Sequence, residues 1–224
     1  MTEQRLTAAI AIVGTLLTAG GLVSSYFQYK AADLQAQAAI AALLPQVQVR
    51  AYLEKVDSDK FTDQRLEITS EGGPVYNFQA DRVTWFQLRQ GNQVIYEQWL
   101  TGYFFANHPT GRIKGELLLT TGYKNNEKYI AFVHVLRSAL GNAVELTRPI
   151  TLLSITYTDA LKKEGRDFFL VEGGTTRRLE SEEGARLWQE KKAAFEKTTH
   201  FDLDSAEKPE KLAELLAILK KSIK

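Results

Sequence analysis

Residues 65–100, RLEITSEGGPVYNFQADRVTWFQLRQGNQVIYEQWL, decide the fold class. Short runs rich in β-branched and aromatic residues stop at Gly72-Gly73-Pro74 and again at Gly91-Asn92. Such residues favour a pleated, half-buried surface, and Gly, Pro and Asn supply the turns between strands. The stretch therefore predicts three strands: Arg65–Ser70, Val75–Leu88 and Gln93–Leu100. The middle one carries an irregularity. Tyr76, Phe78 and Ala80 share one parity, whereas Val83 and Trp85 fall on the other, which predicts a β-bulge near Asp81-Arg82.

The same texture extends in both directions. It predicts strands at Val47–Val56, Ile113–Thr120, Lys128–Leu136, Thr151–Thr158 and Asp167–Glu172, and a short one after Gly173-Gly174. Turn signals stand at Asp57-Ser58-Asp59, Asn107-His108-Pro109, Asn125-Asn126 and Gly141-Asn142. Many short strands without long helices between them imply an antiparallel β-sandwich of the immunoglobulin-like kind. The segment ITSEGGPVYNF (68–78) also resembles the strand-turn-strand signature of bacterial single-pass membrane proteins that carry an immunoglobulin-like β-sandwich. That resemblance implies the fold and no activity.

The N-terminus reads differently. Leu6 to Tyr29 contains no charge and lies between Arg5 and Lys30. At 1.5 Å per residue it makes about 36 Å of helix, enough to cross a hydrocarbon layer of about 30 Å. A cleaved signal peptide is the competing reading. Glu3 offsets Arg5, however, and the apolar stretch is too long for a signal core. The segment after Lys30, AADLQAQAAIAALL, is rich in Ala and Leu, so the helix is expected to run to Leu44 and stop at Pro45. The expected organisation is a transmembrane anchor at 1–29, a helical stalk at 30–45, a β-sandwich at 46–180 and a C-terminal helical segment at 181–224. In that segment Ser181 is the expected N-cap of a helix bearing Leu187, Trp188, Lys191 and Phe195 on one face. A last helix starts at Pro209 with an apolar stripe of Leu212, Leu215, Leu216, Leu219 and Ile223. The stripe is expected to pack on protein, because the helix lacks the strongly cationic face of a membrane-surface helix.

Composition removes several function classes. Lys and Arg number 28 against 27 Asp and Glu, so there is no basic excess to attract nucleic acid. Cysteine is absent, which excludes disulfides, thiolate metal sites and thiol nucleophiles. No nucleophile elbow, phosphate-cradling glycine loop, HExxH or complete calcium loop is present. No cofactor, metal or catalytic residue is expected. Asp57, Asp59 and Asp63 read as a solvated hairpin, His134 as a hydrogen-bonded strand residue, and Gly173-Gly174 before Arg177-Arg178 as a tight turn.

Two patterns remain as candidate sites. Thr7, Ala11, Gly14, Thr18, Gly21 and Ser25 follow heptad spacing, and all are small. Small residues let helices approach closely in lipid, so these six form the candidate helix–helix contact. The register continues through Gln28, Ala32, Gln35, Ala39 and Ala42. The second pattern is aromatic: Trp99, Tyr103, Phe104 and Phe105 precede the Asn107-His108-Pro109 turn. Consecutive Phe104 and Phe105 cannot both face inward on an extended chain. Tyr103, Phe104, Phe105 and His108 therefore make a candidate recognition loop at 103–111.

The resulting expectation is a non-enzymatic, membrane-anchored sandwich acting in assembly or recognition within a membrane complex. Its expected partners are membrane lipid and either a second copy or another membrane protein, with no nucleic acid. The expected location is a bacterial inner membrane, with the flanking charges assigning no side to the sandwich. A ligand- or protein-binding module using the 103–111 loop is one alternative. A pore subunit lined by Thr7, Thr18, Ser25 and Gln28 is the other.

Overall fold

The computed structural model describes residues 2–55, 61–141, 144–206 and 208–222; the side chains of residues 2–17, 19 and 222 lie outside the description. The Asp57-Ser58-Asp59 turn, Asn142 and Ile223 fall outside the described residues. Two compact units meet at the Leu44/Pro45 boundary. The first is a single helix, α1 (Thr2–Leu43). Among the described residues no helix is long and apolar enough to cross a membrane, so the fold by itself does not support the transmembrane reading.

The second unit is mainly β. Its elements run β1 (Pro45–Glu54), β2 (Asp63–Gly72), β3 (Tyr76–Gln90), β4 (Gln93–Thr101), β5 (Ala106–Pro109), β6 (Gly115–Thr121), α2 (Asn125–Leu140), β7 (Glu145–Leu146), β8 (Ile150–Thr158), β9 (Glu164–Glu172), β10 (Thr175–Leu179), α3 (Ser181–Lys197), β11 (Phe201–Asp202) and α4 (Pro209–Ser222). One sheet has the order β1-β2-β6-β5. The other has the order β10-β9-β8-β3-β4-β11, with β7 also paired to β3. The ladders are antiparallel apart from the short parallel pairing of β11 with β4. The main core lies between the sheets, where Val47, Leu66, Ile68 and Leu118 meet Phe86, Leu88, Leu153 and Phe169. Helices α2 and α4 complete it with Tyr129, Phe132, Leu136, Leu215 and Leu219. Leu215 and Leu219 are buried in it, with Leu212 and Leu216 packed against them, so this part of the last helix's stripe packs on protein.

A second core lies on the outer face of the larger sheet, beneath α3. Val83, Trp85, Trp99, Ile150 and Phe168 pack there against Trp188. This corrects the expected bulge near Asp81-Arg82. The β3–β8 register is continuous from Gln79 to Trp85 and shifts only between Tyr76 and Gln79, where Asn77 adopts φ of 50°. Even-numbered Phe78, Ala80, Phe86 and Leu88 serve the main core, while odd-numbered Val83 and Trp85 serve the second. A sheet covered on both faces carries apolar residues at both parities, without any inserted residue.

Further corrections concern helices and turns. Residues 128–136 are helical, within α2, and not a strand. Tyr129, Phe132 and Leu136 bury one helical face, three and then four residues apart, while Ile130 and Val135 stay exposed. Asn125-Asn126 opens this helix instead of forming a hairpin turn. Asn107-His108-Pro109 lies in β5, paired with Leu118–Thr120 of β6. Ser181 is the first residue of α3; Glu180 holds the cap position, without a side-chain cap bond.

Candidate functional site

In the second unit, the flank of α2 beside its buried stripe, from Asn126 through Tyr129 and Val133 to Arg137, borders a cleft of about 540 Å³. Leu53 at the end of β1, Phe61 and Gln64 near the start of β2, and the Leu146–Pro149 connection close it on other sides. The cleft depends on a buried node at the α2 N-terminus. The Asn125 side chain is fully enclosed and makes four hydrogen bonds. Its Oδ1 accepts from the backbone N–H of Gln64 at 2.7 Å and of Asn126 at 2.8 Å. Its Nδ2 donates to the carbonyls of Gln64 and Tyr103, both at 2.9 Å. Asp63 adds a further tie, accepting from the N–H of Lys124 at 2.9 Å. Lys124 takes the left-handed conformation that turns the chain into the helix, with φ of 50°.

The floor is apolar in effect. Tyr103 donates to Gln64 Oε1 at 2.6 Å, and Tyr129 donates to the carbonyl of Thr147 at 2.6 Å. With these groups paired, the floor offers ring faces and aliphatic carbon. Burial pushes both phenols well above the usual tyrosine value, opposed by Arg148 for Tyr103 and by Arg137 for Tyr129. Neither phenol is a base near neutrality. The lining contains no Asp or Glu; its charged groups are Arg137 and Arg148, with His134 beside them on α2. Arg148 Nη1 donates to the carbonyl of Gly173 at 3.1 Å. The groups the lining presents are thus ring faces, aliphatic carbon, two guanidinium groups and one imidazole.

The 103–111 segment is braced, not free. Tyr103 and Phe104 are core residues, and Trp99 lies in the second core beneath α3. Arg82 donates to Asn107 Oδ1 at 2.6 Å and to the Phe104 carbonyl at 2.7 Å, and burial lowers its guanidinium pKa. Phe105 remains exposed. With His108, Tyr123 and Arg65 it borders a shallow depression at the Asp63 end of the first sheet.

No protein-family model and no curated protein matches this sequence.

The helical candidate residues divide similarly. Thr7, Ala11 and Gly14 have side chains outside the described set, whereas Thr18, Gly21 and Ser25 are exposed on α1. His134, expected in a strand, is exposed on α2. His200 stacks on Phe195 with ring centres 3.8 Å apart, a packing role. Gly173-Gly174 does form the turn between β9 and β10. Arg177 and Arg178 pair with Glu183 and Asp167, so they are committed within the fold. Among the described residues no three His, Asp or Glu side chains gather as metal ligands. Sequence reasoning missed the cleft because its α2 wall was read as a strand. The signal was present in the helical spacing of Tyr129, Phe132 and Leu136.

Proposed function

We propose that this is a non-enzymatic, membrane-anchored β-sandwich protein that acts in assembly or recognition, and that it associates with itself through the anchor. The observation that carries the reading is the surface of α1. Leu22, Val23, Tyr26, Phe27 and Tyr29 are more than half exposed on this unit. At 100° per residue they cover about 160° of the helix, and Thr18, Gly21, Ser25 and Gln28 fall on the other side. A rod with that much apolar surface needs lipid or another helix around it. Tyr26, Phe27 and Tyr29 directly precede Lys30, whose ammonium lies 5.7 Å from the Tyr26 ring centre. Aromatic and cationic residues at the end of a charge-free run suit a membrane–water interface.

The strand order supports the immunoglobulin-like reading. β1-β2-β6-β5 corresponds to the A-B-E-D sheet, and β9-β8-β3-β4 to G-F-C-C′, with α2 standing in the E–F connection. Exposed Phe105 and His108 favour, as a second reading, a module that recognises a partner through the 103–111 segment.

Carbonate extraction of membranes containing the full chain tests the anchor. The protein should stay with the lipid, and release into the supernatant refutes the reading. Gly14→Leu and Thr18→Leu should each abolish the detergent-resistant oligomer, because bulk on the small face keeps backbones apart. Ala19→Leu, about a quarter turn from Thr18, should leave it intact. Equal behaviour of the three variants removes the self-association and leaves a plain anchor.

A further inference from the structure

The cleft beside α2 combines three features that together specify a ligand. Its size falls within the range of small-molecule sites, about 300–1,000 Å³. Its floor, formed by the Tyr129 ring, Val133 and Leu146, presents carbon, since the tyrosine hydroxyls are already paired with Gln64 and Thr147. Its charge is of one sign. Arg137 and Arg148 line it with no carboxylate in the lining, and among the described residues neither forms an ion pair.

Unpaired guanidinium groups beside an apolar floor complement a molecule with one anionic head and one apolar body. A guanidinium binds a carboxylate or phosphate through parallel N–H···O bonds, which a neutral hydroxyl cannot match. The position of Arg148 is set before any ligand arrives. Its bond to the Gly173 carbonyl fixes one end of the fork, and Gly173, at φ of 58°, leaves the space in which it lies. A Cβ at Gly173 would meet Arg148 Cδ at 2.8 Å. Such prepositioning reduces the ordering cost of binding.

We propose that this cleft binds a small amphipathic anion, an aryl- or alkyl-carboxylate or phosphate monoester, with its apolar body on the Tyr129–Val133 floor and its head met by Arg137 and Arg148. The proposal stands apart from the membrane reading, because every residue it uses belongs to the second unit. The ligand is a free molecule, not a bilayer headgroup.

The test uses the full chain, in phosphatidylcholine vesicles or in buffer as the carbonate extraction dictates. Binding of 4-phenylbutyrate and of 4-phenylbutan-1-ol is measured by titration calorimetry against protein-free controls. The acid should bind at least about tenfold more tightly than the alcohol. The Arg137→Gln/Arg148→Gln double variant should lose that preference and keep its melting temperature, since both side chains are exposed. Val133→Trp, or Ile130→Trp at the exposed rim if the first does not fold, should abolish binding of both probes by filling the cleft. Failure to bind the acid, equal affinity for acid and alcohol, or a preference that survives the double variant each overturns the proposal. In vesicles that also contain phosphatidylglycerol the acid should bind as it does without that lipid, and competition by the anionic lipid overturns the proposal by assigning the site to a bilayer headgroup.

Discussion

Asn125→Asp changes one atom's chemistry at the node on which the α2 end of the sandwich depends. The side chain is 1% exposed, and its amide donates to the carbonyls of Gln64 and Tyr103. A carboxylate keeps the two accepted bonds from Gln64 and Asn126 but presents oxygen to both carbonyls. Orphaning a buried carbonyl costs about 1–3 kcal/mol, so two cost about 2–6 kcal/mol before the charge is counted. In a unit of this size each kcal/mol lowers the melting temperature by about 2–4 °C, and a mid-range loss of about 4 kcal/mol gives about 8–16 °C. The assay is thermal unfolding followed by near-ultraviolet circular dichroism. The signal is read where only tryptophan absorbs, because α1 carries tyrosines but no tryptophan, and Trp85 and Trp99, with ring centres 5.5 Å apart, lie within the sandwich. Asn126→Ala is the control, since it removes one bond from Nδ2 to the Phe61 carbonyl at a more exposed position. It should shift the midpoint by no more than about 4 °C. An Asn125→Asp midpoint within about 3 °C of the parent, or equal loss from both variants, refutes the reasoning.

Gly184→Ala should destabilise the protein by about 1–3 kcal/mol, although alanine is the better helix former, because a Cβ there would enter the Phe168 ring on which α3 rests; chemical denaturation gives the sign, and a stabilised variant refutes the close packing. Tyr157 donates to Asp167 at 3.1 Å, and its pKa is pushed up to about 12, first by burial and then by that carboxylate. With the folded value above the unfolded one, its stabilising contribution is complete below about pH 10 and is lost as pH rises to about 12. Tyr157→Phe should therefore flatten the fall in stability across that interval, and an unchanged profile refutes the assignment.

The mainly β character was legible because alternation, turn residues and β-branched runs agree over 65–100, and the three strands read there occur as β2, β3 and β4. Two other readings failed for physical reasons. The run IAFVHVL (130–136) is continuously apolar, and continuous apolarity does not separate a buried strand from a helix. What makes it helical is tertiary. Only a helix lets Tyr129, Phe132 and Leu136 reach Phe86 and the main core together while Asn125 ties its start to β2. The supposed bulge in β3 arose because one sheet face was assumed wet, when α3, far along the chain, covers it. The recognition loop was half legible. Alternation correctly separated Phe104 from Phe105, but nothing local indicates that Tyr103 would be drawn inward by Gln64 and Asn125.

The α2 run and the Tyr103 segment meet at one place, the buried side chain of Asn125. Asn125 joins β2, the Tyr103 segment and the first turn of α2, and Tyr103, Gln64 and Tyr129 are also floor or wall of the cleft. The groups that fix the fold at this end are therefore the groups that shape the binding space. Occupancy and folding must then be linked: a ligand that binds only the folded cleft stabilises it by RT ln(1 + [L]/Kd), about 2.7 kcal/mol at a hundredfold excess over Kd. The same linkage separates this end from the second core. The contacts of Trp188 and Lys191 with Trp85, Trp99 and Glu97 share no residue with the cleft, so perturbations beneath α3 should change stability without changing ligand preference.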